Sequence, residues 1–105
     1  MLPPQGGALY PNKPTFYTAN KNVAVPGTAE QLTAQPVPDG FGVVVKAKRT
    51  NTGYIYPGES KAQAEVHNVE LAQKDSVTLY VKNTNAIWVD SSVAGEGVEI
   101  IVEAD

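Results

Sequence analysis

The chain has 105 residues, of which 42% are hydrophobic, and a formal net charge of −3 at pH 7. This length suits one domain with one modest core. The acidic charge argues against nucleic acid or a membrane surface as the partner, since both attract proteins with a basic excess. The chain has no cysteine, so disulfides and thiolate metal sites are excluded.

Residues 1–22 differ in composition from the rest of the chain. They contain Pro3, Pro4, Pro11 and Pro14. Proline lacks the amide donor that a helix interior or a central strand needs, so this segment is predicted to be an extended arm before a domain over residues 23–105. The arm also carries apolar and aromatic side chains, which favour docking on a partner subunit; a floppy terminus is the alternative.

The first residues lack the basic and apolar regions of a secretory signal. No apolar run approaches the roughly 20 residues of a membrane span. We therefore expect a soluble protein made in a cytoplasm.

Period-two alternation predicts strands over most of the remaining chain. The clearest strands are residues 41–48 and 98–103, and shorter ones are predicted at 23–25, 54–56 and 66–71. Pro57 and Gly58 are expected to end the strand at 54–56. Residues 59–65 are predicted to be a loop with at most one helical turn, because about seven residues cannot sustain a helix alone.

Residues 77–89 predict a β-hairpin. Val77, Leu79 and Val81 alternate with polar residues, and Ile87 and Val89 continue the pattern after an Asn/Thr-rich gap. Asparagine suits a tight reversal because it tolerates positive φ. Strands at this spacing predict an all-β fold, a single β-sandwich or jelly-roll-like domain.

No pattern of residues predicts catalysis, a cofactor or a metal site. His67 is the single histidine, and one histidine without cysteine supplies at most one of the three or four ligands that a metal site usually needs. Asp90, Glu96 and Glu99 do not follow a calcium-loop spacing and are interpreted as a solvated acidic edge. The chain is therefore not expected to be an enzyme.

Aromatic residues form the candidate interface. The alternation places Tyr80 and Trp88 together on the face opposite the buried one, and places Tyr54 beside Tyr56. Large exposed rings on one face favour a contact surface with another protein. A sugar-stacking platform is an alternative, and so is burial of these rings in the core or under the arm. The candidate interface residues are Leu9, Tyr10, Phe16, Tyr17, Tyr54, Tyr56, Tyr80 and Trp88.

From residue 27 onward the sequence resembles small structural proteins of tailed bacteriophages. The resemblance lies in the order of generic segments, over roughly three quarters of the chain. The sequence departs from it at Pro57, where the strand is expected to run on, and at Lys74, where glycine is more usual. The segments that carry it are 26–32, 43–47, 51–56, 75–79 and 87–98.

The resemblance implies a virion structural protein, most plausibly a head-stabilising decoration protein outside the capsid shell. Its expected partners are the major capsid protein or another virion protein, with a homo-oligomer, such as a trimer, as its own assembly. No functional residue is carried over, because such proteins act by surface complementarity. The alternative is a carbohydrate-binding β-sandwich module, with a glycan as ligand.

Overall fold

A computed structural model describes residues 15–104. The all-β prediction is confirmed: seven strands form two antiparallel sheets, and one α-helix has six residues. Among the described residues no helix is long and apolar enough to cross a membrane. The elements are β1 Thr15–Asn22, β2 Glu30–Gln31, β3 Val43–Ala47, β4 Ile55–Gly58, α1 Lys61–Val66, β5 Ser76–Leu79, a 3-10 helix Thr84–Ala86, β6 Trp88–Ser91 and β7 Gly97–Ala104.

The strands pair in a nested order. The first sheet has the order β1-β7-β3-β5, and the second sheet has the order β2-β6-β4. The first strand pairs with the last, the second with the sixth and the third with the fifth, all antiparallel. The innermost strand, β4, meets only an isolated bridge between Ile55 and Leu71 on its outer side.

The core is built from the alternating strands that the sequence predicts. Val43, Val45 and Ala47 of β3 are buried, while Val44 and Lys46 between them are half-buried. The buried residues of β7 lie in register beside them, and residues of the second sheet complete the same cluster. These partners are Val98, Ile100 and Val102 of β7, with Leu32, Ile55, Ile87 and Val89.

The predicted hairpin at residues 77–89 is wrong. β5 pairs with β3 in the first sheet, whereas β6 pairs with β2 and β4 in the second sheet. The connection between them is held by side chains: the Asn83 carboxamide oxygen accepts from the Gln35 N–H at 3.0 Å, and the Thr84 hydroxyl donates to the Thr33 carbonyl at 2.6 Å. These bonds carry the chain across from one sheet to the other.

Two predictions around the helix are also wrong. β4 continues through Pro57 to Gly58, because β4 lies at a sheet edge, where a missing amide donor is tolerated. The strand predicted at 66–71 is absent, since Val66 ends α1 and Leu71 forms only a bridge. Gly58 lets the helix pack on β4: a Cβ there would lie 2.4 Å from the Ala64 nitrogen.

The second half of the predicted arm belongs to a sheet. Thr15–Asn22 is β1, and it pairs along the whole of β7. The strand predicted at 23–25 is wrong, because Val23 closes the ladder with a 2.8 Å bond to the Glu96 carbonyl and the chain then bends. Residues 1–14, including the predicted contacts Leu9 and Tyr10, lie outside the described residues.

Candidate functional site

The first sheet presents one face to the core and the other outward. Directly opposed residues of an antiparallel pair point to the same side of a sheet. Ile101 alternates with the buried residues of β7, so it points outward, opposite Thr18 of β1 and Val44 of β3. Val44 in turn lies opposite Thr78 of β5. We call this side of the β1-β7-β3-β5 sheet the outer face.

Exposed apolar side chains lie toward one end of the outer face. Phe16 is 67% exposed, Ile101 47% and Tyr80 76%. The Tyr80 ring lies against Gly42, where an added Cβ would be 3.2 Å from its Cε1 atom. Glycine at position 42 therefore lets an aromatic ring lie close to the sheet without losing its exposure.

The other end of the outer face is polar. Lys46 Nζ lies 4.0 Å from the Glu99 carboxylate, and Lys48 Nζ donates to the Asn22 carboxamide oxygen at 2.8 Å. Ion pairs this exposed contribute little to stability. The outer face thus joins an apolar region to a polar region of mixed charge, an arrangement suited to binding another macromolecule.

Tyr80 and Trp88 do not share a face, so that prediction is wrong. Tyr80 follows β5 of the first sheet, whereas Trp88 is half-buried in β6 of the second sheet. The prediction assumed that both residues belong to one hairpin. Because the connection crosses between sheets, the parity of one strand does not carry over to the next.

Tyr54 and Tyr56 also lie in different environments. Tyr54 is 44% exposed just before β4, while Tyr56 is 7% exposed and stacks on His67 with ring centroids 3.6 Å apart. Phe16 and Tyr17 are both exposed, on opposite faces of β1. The structure therefore brings Phe16 and Tyr80 to the outer face and separates the other described candidates.

Sequence reasoning missed a buried polar cluster around Asp90. Its side chain is fully buried: Oδ1 accepts from the N–H groups of Gly27 at 2.9 Å and Ser91 at 2.8 Å, and Oδ2 lies 2.7 Å from Nε2 of His67. His67 reaches this position because it ends α1 in a left-handed conformation, with φ 64°. The two residues are 23 positions apart, so no local spacing reveals the contact.

The Asp90 cluster ties three segments together and offers little chemistry beyond that. The Asp90 carboxylate is occupied by donors on both oxygens. Within residues 15–104, no group of three or more metal-ligating side chains occurs. We assign the cluster a structural role: a buried carboxylate is retained where its hydrogen bonds offset the cost of desolvation.

Two further carboxylates hold neighbouring segments of the chain together. Partial burial raises the pKa of Glu96, but hydrogen bonds from the backbone of Gly53 and from the backbone and hydroxyl of Thr52 outweigh this, so the pKa lies below its ordinary value. The Lys61 ammonium and the Ala29 N–H likewise lower the pKa of Glu65. The predicted solvated edge is therefore wrong for Asp90, which is buried, and for Glu96, which anchors a loop; Glu99 is exposed.

Comparison with known proteins gives no relative for this chain: no family model, no curated protein and no solved structure matches it. The chain's own surfaces are therefore what indicates its function.

Proposed function

We propose that this protein is a non-enzymatic virion structural protein, a decoration protein that binds the outer surface of a bacteriophage capsid. The observation that carries the proposal is the outer face, where Phe16, Ile101 and Tyr80 are exposed on one side of a regular four-stranded sheet. Several exposed apolar side chains on one sheet face favour a protein interface. Exposed aromatic residues are the usual anchors of such interfaces.

The strand order supports a jelly roll as the finer description of the fold. A jelly roll is a long antiparallel hairpin rolled into two sheets, so its strands pair from the outside inward. β1 with β7, β2 with β6 and β3 with β5 follow that order, and the bridge from Ile55 to Leu71 stands where an innermost pair would be. Jelly rolls occur in viral capsid proteins and in lectins, which agrees with the phage resemblance of the sequence.

Decoration requires a surface that matches a large, repetitive partner. A flat sheet face can contact the major capsid protein through many weak interactions, with the polar region around Lys46 and Glu99 fixing the orientation. A homo-oligomer would repeat this contact, so that modest affinity for each subunit adds up through effective concentration.

The glycan-binding alternative has less support in the geometry. A sugar platform needs rings that lie side by side and open to solvent. Tyr56 is buried, Trp88 is half-buried in the second sheet, and Tyr80 stands on the first sheet.

The test is binding of the purified full-length chain to empty capsids of the phage whose genome encodes it, measured by co-sedimentation. We expect saturable binding. Tyr80→Ala should raise the dissociation constant about 30-fold, which corresponds to about 2 kcal/mol, the loss typical of a central aromatic anchor. Tyr54→Ala is the matched control, since Tyr54 is also an exposed tyrosine but precedes β4 of the second sheet.

Three outcomes would contradict the proposal: no capsid binding by the wild-type chain, equal losses for the two tyrosine variants, or specific binding to a glycan array that Tyr80→Ala abolishes. Ile101→Asp provides an independent check, because it places a charge in the middle of the outer face at a side chain that is 47% exposed.

A further inference from the structure

The outer edge of β1 is a second candidate contact. β1 is the end strand of the first sheet, and within residues 15–104 no strand pairs with its far side. It has eight residues with no proline and pairs regularly with β7. A long, regular edge strand is a template for pairing with another chain, and soluble proteins usually protect such edges.

The pairing with β7 determines which backbone groups point to the free edge. Gly97 uses both of its backbone groups away from β1: its carbonyl accepts from the Lys48 N–H, and its own N–H donates to Asn51. The opposed pair Asn22–Gly97 is therefore not hydrogen-bonded, and such pairs alternate along an antiparallel ladder. The residues whose N–H and C=O groups face outward are Phe16, Thr18, Asn20 and Asn22.

We infer that a second copy of this chain pairs with this edge, β1 to β1 and antiparallel, about a two-fold axis at Ala19. This register brings Thr18 of one copy opposite Asn20 of the other, and Phe16 opposite Asn22. It joins the two first sheets into one continuous sheet. The inference concerns the isolated protein and does not depend on capsid binding.

The sequence of β1 is self-complementary in this register. A centre at Ala19 is the one that pairs all four outward-facing residues, and a small residue lies on the axis, where the strands approach most closely. Tyr17 of each copy lies opposite Lys21 of the other, so an aromatic ring meets the lysine stem and no like charges oppose each other. Two-fold pairing of identical patches is the commonest form of protein assembly.

A groove beneath β1 favours the same partner. It has a volume of about 120 Å³ and lies between the inner side of β1 and residues 32–35. Tyr17 and Ala19 line one wall, and Leu32 lies in the other. The second copy's Tyr17 would point to this same side one strand spacing further out, about 4.8 Å, and would cover the groove.

The other edges fit a partner strand less well. β5, at the far edge of the first sheet, has four residues, and β2 has two. β4 has Pro57 within it. Among the described strands, β1 is therefore the edge best suited to pairing.

Cross-linking through the axis tests the register directly. The chain has no cysteine, so Ala19→Cys introduces a single thiol. Opposed residues of a non-hydrogen-bonded pair lie about 4.5 Å apart, within disulfide range, so we expect a covalent dimer on mild oxidation of the full-length chain. Lys21→Cys is the control, because its two thiols would lie on strand positions about 13 Å apart and should not cross-link.

A proline variant tests the edge by sedimentation. Thr18→Pro removes an outward-facing N–H and should yield a monomer at concentrations where the wild type is a dimer. Thr78→Pro is the matched control on β5. Ala47 of β3 is hydrogen-bonded to the backbone of Asp75 and Lys74. Hydrogen-bonded and non-hydrogen-bonded pairs alternate along the ladder from there, so the Thr78 N–H also faces a free edge. This variant should remain a dimer.

The inference is overturned if the wild-type chain sediments as a monomer or a trimer, or if Thr18→Pro folds and still dimerises. If Thr18→Pro does not fold, the cysteine variants decide: cross-linking at position 21 rather than 19 would exclude the register. Capsid binding that persists in a monomeric Thr18→Pro variant would leave the proposed function intact and separate the two surfaces.

Discussion

The two sheets of this protein are specified by different kinds of residue. Two central strands of the first sheet, β3 and β7, follow apolar alternation, as β3 shows with Val43, Val45 and Ala47 buried. The second sheet has strands of two to four residues and contains buried polar side chains, among them Asp90 and Ser91 of β6. Alternation alone does not account for its position.

The difference shows what each kind of signal determines. Alternation fixes which face of a strand is buried. Any apolar surface can cover that face, because the hydrophobic effect is not directional and requires no particular partner strand. Hydrogen bonds from side chains to backbone fix which segments meet, because a buried carboxylate or carboxamide must find its donors and acceptors. Replacing a single buried polar residue in the second sheet should therefore lower the unfolding free energy as much as replacing a buried apolar residue in the first.

The largest effect is expected at Asp90. Asp90→Ala leaves two backbone N–H groups and His67 without their acceptor, and we expect a loss of about 3 kcal/mol or more in unfolding free energy, measured with urea. Val45→Ala, a core truncation in the first sheet, should cost about 2 kcal/mol. Asp75→Ala, at an exposed turn acceptor, should cost about 1 kcal/mol or less. A smaller loss at Asp90 than at Val45 would contradict the comparison.

Asn51 should rank next. Its carboxamide donates to the Gly97 carbonyl at 2.8 Å and accepts from the Gly97 N–H at 3.2 Å, and the residue is 4% exposed. Asn51→Ala should lower the unfolding free energy by about 2 kcal/mol, because it leaves a buried N–H unpaired. Asn68→Ala, at an exposed asparagine, should change it by no more than about 0.5 kcal/mol.

Acid should weaken the anchored loops. The pKa values of Glu65 and Glu96 are lowered in the folded protein, so both stabilise the fold above the ordinary glutamate pKa of about 4.3, and this contribution is lost as the pH falls through their folded-state values. Glu96→Gln should therefore reduce the drop in melting temperature between about pH 5 and about pH 2, the range in which carboxyl groups titrate, measured by calorimetry. Glu99→Gln, on exposed β7 surface, is the control, and an equal reduction there would argue against anchoring by Glu96.

The smallest effect is expected at a local mismatch beside the first sheet. Lys74 has φ 71°, a left-handed conformation that favours glycine. Lys74→Gly should raise the unfolding free energy by roughly 0.5–1 kcal/mol. Gln73→Gly is the control, because the left-handed residue of this turn is Lys74, and it should lower the unfolding free energy slightly. An increase in unfolding free energy for both variants would indicate a general effect of glycine in this loop.

The sequence predicted the parts of the fold that local pattern controls. The strands predicted at 41–48 and 98–103 match β3 and β7 to within two residues. The hairpin prediction at 77–89 failed, because a period of two identifies which face of a strand is buried but not which strand it pairs with. Sequence reasoning also placed residues 15–22 outside the domain, since the inner side of β1 carries Tyr17 and Lys21 rather than a continuous apolar row.

The candidate surface was predicted only in part for the same reason. Of the candidate interface residues, Phe16 and Tyr80 are exposed on the outer face. Their shared face depends on β1 and β5 belonging to one sheet, which is a fact of long-range pairing. The contact of Asp90 with His67 depends on the left-handed end of a six-residue helix, for which the sequence carries no distinct signal.

The nested strand order has a consequence for biosynthesis. β7 lies between β1 and β3 in the first sheet, yet of the strands within residues 15–104 it is translated last. Until it leaves the ribosome, β1 has no neighbour in its sheet, and β3 has only β5. We therefore expect the domain to fold only once β7 has emerged from the ribosome, and slowly, as proteins dominated by distant strand pairs do. A ribosome stalled before residue 97 should hold a chain that proteases still cleave readily.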